Sequence, residues 1–147
     1  MNRNIIITPE GHLILKKKIA RLEKKQKETA ERLSLTSGDL SENADFLILD
    51  AKNLSLLREI EELEIILEKA EVYEKTNNKS SVELGSTITY LWINKQKKLT
   101  TILTDDIIAD PPHKVSINSP FGEKLLKKKA GDIIQLGKSK YQILEIK

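Results

Sequence analysis

Residues 13–36, LILKKKIARLEKKQKETAERLSLT, and 44–74, ADFLILDAKNLSLLREIEELEIILEKAEVYE, decide the fold. In the first, Leu15, Ile19, Leu22, Gln26, Thr29 and Leu33 recur at alternating spacings of 4 and 3. In the second, Phe46, Leu49, Asn53, Leu56, Ile60, Leu63, Leu67 and Ala70 recur at 3 and 4. Both are the a/d repeat of a coiled coil, and Gly38 is the only glycine or proline between Leu13 and Glu74. Thr36-Ser37-Gly38 is read as the turn, because glycine takes the left-handed conformation that ends a helix. Thr8-Pro9 is a helix start: a hydroxyl to cap, then a proline where a missing N–H costs nothing. The spacing predicts an antiparallel hairpin in which Leu33 faces Phe46, Ile19 faces Ile60 and Gln26 faces Asn53. A Gln26–Asn53 side-chain contact would satisfy two half-buried amides and fix the register. Arms of about 28 to 35 residues would reach roughly 40 to 50 Å at about 1.5 Å per residue. That is longer than a compact domain needs, and implies that something is held at a distance.

Composition agrees. The chain has 147 residues, 39% hydrophobic and 32% charged, with only 4% aromatics, a level normal for a coiled coil. It has no cysteine, so disulfides, thiolate metal sites and a cysteine nucleophile are excluded. No apolar stretch approaches the roughly 18 residues of a membrane span, and the apolar core of residues 1–7 is too short for a signal peptide. A cytoplasmic protein with no membrane partner is expected. The overall charge of +3 hides a split: residues 10–37 carry +4 and residues 39–75 carry −7. Two neighbouring helices of opposite sign suit each other better than either suits a polyanion. Charge alone therefore does not predict nucleic-acid binding.

After Lys75 the period changes. Residues 75–81 are polar and turn-rich and read as a linker, so the expected domains are 1–75 and 76–147. Residues 87–93, 99–103, 114–117, 133–136 and 141–146 are strand-like runs. Ser119-Pro120 repeats the hydroxyl-then-proline signal and predicts a helix to about Lys129. The expected class is a helical hairpin followed by a small α+β domain, an antiparallel sheet with one helix. Trp92 and Tyr90, two apart on one strand, are expected to pack on one face. His12 and His113 lack ligand spacing and read as surface residues, as do the lysine runs 16–18 and 127–129.

The chemistry is concentrated at 38–46, Gly-Asp-Leu-Ser-Glu-Asn-Ala-Asp-Phe. Asp39 and Glu42, three apart at a helix start, can converge on one point. They also make a capping-box-like pair, and acids at a helix N-terminus are favoured by the macrodipole. Two carboxylates are too few for a complete Mg²⁺ site, so a metal role would have to be shared with a partner.

This tip, the long hairpin before it and the α+β domain after it resemble the Gre factors, bacterial transcript-cleavage factors of the GreA/GreB type. The resemblance is carried by Gly38 to Phe46, by Thr8 to Gly11, and by Val115 to Pro120 with Leu125-Leu126 and Gly131-Asp132. It implies that the C-terminal domain is FKBP-like and docks on RNA polymerase through Asn118, Ser119 and Pro120. It implies that the hairpin enters the secondary channel, where Asp39 and Glu42 help hold a second Mg²⁺ belonging to the polymerase site. Cleavage of backtracked nascent RNA at its 3′ end would follow. The chain would then be no enzyme itself but an accessory factor, a monomer with no cofactor of its own. Gre factors usually carry basic residues where this chain has Leu35 and Asp50; Arg32 and Lys52 lie nearby and are the candidate replacements beside the RNA. The alternative is a channel regulator that docks but has weak or no cleavage-stimulating activity. A third reading, a prolyl isomerase, rests on the FKBP-like domain alone and on Trp92, Phe121, Tyr90 and Tyr141.

Overall fold

The computed structural model describes residues 5–36, 44–76 and 79–147. After a short strand, β1 (Ile5–Ile7), come two helices, α1 (Pro9–Ser34) and α2 (Ala44–Lys69), each of 26 residues. At about 1.5 Å per residue each arm is about 39 Å long. They pair in the expected register: Gln26 Nε2 donates to Asn53 Oδ1 at 3.1 Å. Leu22, Leu56 and Ile60 form a buried cluster with Leu63 beside it, and Leu15, Ile19 and Thr29 are buried on α1. Thr29 keeps its hydroxyl satisfied by donating back to the Lys25 carbonyl at 2.8 Å, so a polar seam residue is buried without an orphaned group.

The heptad pattern runs past the true end of α2. Ala70–Val72 leaves the helix as a strand, β2, and pairs with β1 (Ile5–Ile7). The ladder is extended by Tyr73, whose N–H donates to the Ile7 carbonyl at 2.8 Å. Periodicity alone could not have foreseen this, since three residues of strand are specified by a partner more than 60 positions away.

The remaining strands are β3 (Thr87–Trp92), β4 (Lys97–Thr104), β5 (Lys114–Ser116), β6 (Ile133–Leu136) and β7 (Ser139–Ile146), with α3 at Pro120–Leu125. The sheet order is β5-β4-β3-β7-β6. Its β3–β4, β3–β7 and β6–β7 pairs are antiparallel, as expected of the α+β class. β5 is the exception: it runs parallel to β4, with Ile102 opposite Lys114 and Thr104 opposite Ser116. Residues 105–113 carry the chain back across the sheet edge, so it re-enters in the direction it left. The core is Val82, Ile88, Tyr90, Leu103, Leu125, Ile134, Ile143 and Ile146.

α3 is shorter than its pattern suggested. Leu126 turns extended and Lys127 takes a positive φ of 64°, because the backbone of 127–128 pairs instead with Val82. Two Val82–Lys bonds of 2.7 and 2.8 Å replace the helical ones.

The described residues divide into two compact units, one within 13–70 and one formed by 5–12 with those of 71–147. The first turn of α1 thus belongs to the second unit. Of the expected linker, Thr76 is tethered: its Oγ1 donates to the Glu83 carboxylate, as does the Oη of Tyr73 before it.

Candidate functional site

Two regions hold the residues singled out by sequence. The first is the free end of the hairpin. Asp39 and Glu42 lie outside the described residues, so the site begins at the helix ends that flank them. α1 closes with tight i→i−3 bonds, Leu35 N to Arg32 O and Thr36 N to Leu33 O, both 3.2 Å. The Thr36 hydroxyl adds a bond to the Leu33 carbonyl at 2.6 Å, satisfying an acceptor that the ending helix would orphan. A cavity of about 500 Å³ opens here, lined by Arg32, Leu35, Thr36, Asp45, Ile48 and Leu49. Arg32 is exposed and lines it; Lys52 is exposed on α2 and does not. Leu35 is 82% exposed, so an apolar side chain stands in solvent just past the end of α1. Among the described residues no group of three or more His, Cys, Asp or Glu could hold a metal ion.

The second region is the turn from β5 into α3. Ser119 has an extended backbone (φ −73°, ψ 156°), and its hydroxyl accepts from Gly122 N at 3.0 Å while Pro120 takes the first helical position. Helix initiation is therefore realised as the hydroxyl-proline pair predicts. The same hydroxyl donates to the Ser116 carbonyl at 2.7 Å. Gly122 is required by close approach: a Cβ there would run into that carbonyl oxygen.

Asn118 is exposed, and its Nδ2 donates to Asp106 Oδ2 at 2.7 Å. Ser116 Oγ donates to the other oxygen of Asp106 and accepts from Asn118 N at 3.1 Å. Pro120 stands next to a cavity of about 320 Å³ lined also by Tyr90, Phe121, Tyr141, Pro112 and Leu136. Tyr141 packs with ring centroids 5.8 Å from Tyr90 and 5.1 Å from Phe121, and the Trp92 ring lies 5.7 Å from it, tilted by 33°. The four aromatics thus do converge. Burial, with Tyr141 adding to it, raises the Tyr90 phenol above its ordinary pKa.

Thr8, Pro9 and Gly11 mark a third feature, whose partner sequence reasoning missed. Asp105 is 1% exposed and accepts four hydrogen bonds. Thr8 N and Oγ1 bind one oxygen at 2.7 and 2.8 Å; Ile107 N and Ile108 N bind the other at 2.9 and 3.1 Å. Thr8 Oγ1 also accepts from Gly11 N at 2.9 Å, so the cap of α1 is itself held by a buried carboxylate. A Cβ at Gly11 would collide with that carboxylate. The clue was available: glycine within a first helical turn costs about 1 kcal/mol, which hints at a neighbour that needs the space.

Family comparison now settles what carries these features. Residues 5–72 match the model of the transcription elongation factor N-terminal domain, and residues 77–147 that of the GreA/GreB C-terminal domain. The chain is 32% identical to the transcription elongation factor GreA of Acetivibrio thermocellus, covering 99% of this chain and 98% of the relative. The chain belongs to the GreA/GreB family of transcription elongation factors. A second relative, GreA of Clostridium botulinum, is 34% identical over 98% of this chain and 96% of its own length. Among solved structures, that of the transcription factor Gfh1 aligns over 99% of both chains with 22% identity and a TM-score of 0.49. As in the expected Gre arrangement, this GreA/GreB-family chain joins a helical hairpin to a sheet domain. No helix of the described residues is long and apolar enough to cross a membrane.

Proposed function

We propose that this chain binds RNA polymerase as a monomer in the cytoplasm and stimulates cleavage of backtracked nascent RNA. The observation that supports this most is the coincidence, in one family member, of a registered hairpin with Asp39 and Glu42 in the segment joining its arms. The hairpin enters the polymerase channel, and Asp39 and Glu42 supply ligands to a Mg²⁺ ion of the polymerase site. Asp39 and Glu42 would help hold that ion, which would supply charge stabilisation for phosphodiester hydrolysis. This chain contributes the two carboxylates and the stiffness of their support; the nucleophilic water and the remaining ligands belong to the polymerase and the 3′ end of the RNA. Docking falls to Asn118, Ser119 and Pro120. Ser119 acts by fixing the turn, Pro120 by edging the aromatic cavity, and Asn118 by direct polar contact.

Leu35 and Asp50 favour a second reading, a docking factor with weak cleavage. Both occupy positions where Gre factors usually carry cations, and an acid beside RNA reverses the sign of the dominant electrostatic contribution. Arg32, at the rim of the tip cavity, and Lys52 are the cations left to face the RNA. RNA release from a stalled, backtracked complex separates the two. Stimulated cleavage that is abolished by Asp39→Asn or Glu42→Gln, with binding retained, supports the first. Binding without cleavage supports the second, and unchanged cleavage in both variants returns the acids to helix capping.

A further inference from the structure

A carboxylate can only accept a hydrogen bond. At 2.7 Å from Asp106 Oδ2, the Asn118 side chain must therefore offer its NH₂, and its carbonyl Oδ1 is turned away from Asp106. Among the described residues nothing donates to that Oδ1. The arrangement is closed on the other side: Ser116 Oγ donates to the second Asp106 oxygen and accepts from Asn118 N at 3.1 Å. Ser116 is itself buried, and its carbonyl receives both the N–H and the hydroxyl of Ser119. Asp106 thus fixes which end of an exposed amide is presented, in a ring rooted in the turn that starts α3.

We infer that Asp106 is a positioning residue that makes Asn118 present a hydrogen-bond acceptor, so that this surface selects a partner bearing an N–H donor, an arginine, lysine or backbone amide. The inference rests on the polymerase-docking reading and adds to it the polarity of the contact. It also makes Asp106 more than a structural acceptor, because its two acceptor oxygens decide which end of its amide Asn118 shows.

Exchanging the two groups tests this. In Asp106→Asn, the new carboxamide oxygen can keep the Ser116 hydroxyl, but its NH₂ then faces Asn118. The Asn118 amide turns over and presents a donor to a donor. Affinity for core RNA polymerase falls about tenfold, equal to about 1.4 kcal/mol, while thermal unfolding stays near that of the parent chain. Asn118→Asp alone sets two carboxylates against each other and also weakens binding. The double variant Asp106→Asn with Asn118→Asp restores the inner hydrogen bond with donor and acceptor exchanged, leaving an outward oxygen. Its affinity returns to within about threefold of the parent. Recovery in the double variant, with both singles impaired, supports the inference. Parent-like binding by Asp106→Asn, or no recovery in the double variant, overturns it while leaving docking intact. A parent chain that does not bind polymerase overturns both.

Discussion

Replacing Asp105 by alanine removes one acceptor that serves four donors on three residues, Thr8 from one part of the chain and Ile107 and Ile108 from another. The carboxylate is 1% exposed, and its partners are Thr8 N and Oγ1 at 2.7 and 2.8 Å and Ile107 N and Ile108 N at 2.9 and 3.1 Å. A hydrogen bond to a charged group is worth about 1.5–3 kcal/mol. Four of them on one group do not add, and the vacated space admits water to some of the donors. A loss of about 3–4 kcal/mol is expected, at the top of the usual range for single substitutions. For a unit of this size each kcal/mol is worth about 4–8 °C, so melting should fall on the order of 15 °C or more. Urea unfolding followed by tryptophan fluorescence reads the stability, since Trp92 lies in the same unit. Hydrogen exchange should accelerate most at Thr8, Ile107 and Ile108. Asp105→Asn, which keeps one acceptor oxygen, should cost less than alanine. A destabilisation below about 1 kcal/mol, or exchange unchanged at those three amides, would refute the reasoning.

Gln26→Leu should destabilise the hairpin by about 1–2 kcal/mol by leaving Asn53 without its partner, and Gln26→Leu with Asn53→Leu should recover that loss or exceed the parent. Thermal melting monitored by far-UV circular dichroism distinguishes the two. Gly122→Ala should cost about 2–4 kcal/mol, because its methyl meets the fixed Ser116 carbonyl, and denaturant titration measures it. Hydrogen bonds from Thr76 and then Tyr73 hold the Glu83 carboxyl below its ordinary value of 4.5. The stability it contributes is thus complete above that value and is lost as pH falls through the lower folded pKa. Melting curves between about pH 3 and 6 should converge for parent and Glu83→Gln at the acid end and separate towards the neutral end.

How far the structure was legible in the sequence varies with the range of the interactions involved. The hairpin register was readable because the alignment that sets Leu33 against Phe46 and Ile19 against Ile60 also sets the amide of Gln26 against that of Asn53; the two then bond as that alignment requires. β3 and β4 were readable from β-branched runs either side of a polar turn. What failed was set by distant backbone. α2 stops at Lys69 because Ala70–Val72 finds Ile5–Ile7, and α3 stops at Leu125 because the next residues pair with Val82. Helical propensity in both tails is adequate, but ladder bonds to a remote strand outweigh it. Of the candidate site, Ser119 was legible as a cap from the proline after it. Asp105 and Asp106 were not, for two adjacent acids before a loop look like ordinary turn residues. Only their partners, Thr8 in one case and Asn118 in the other, give them distinct tasks.

The contact between Thr8 and Asp105 spans 97 positions of chain. During synthesis from the N-terminus, α1 and α2 can zip together from their shared turn as soon as both have emerged, because every seam contact is then available. Ile5–Ile7 must wait for Ala70–Val72, and Thr8 must wait longer still, until β4 has been made and the loop after it has closed. Residues 5–8 are therefore made before the hairpin and secured after it, and a nascent chain cut short before Asp105 would lack the carboxylate that holds the cap of α1.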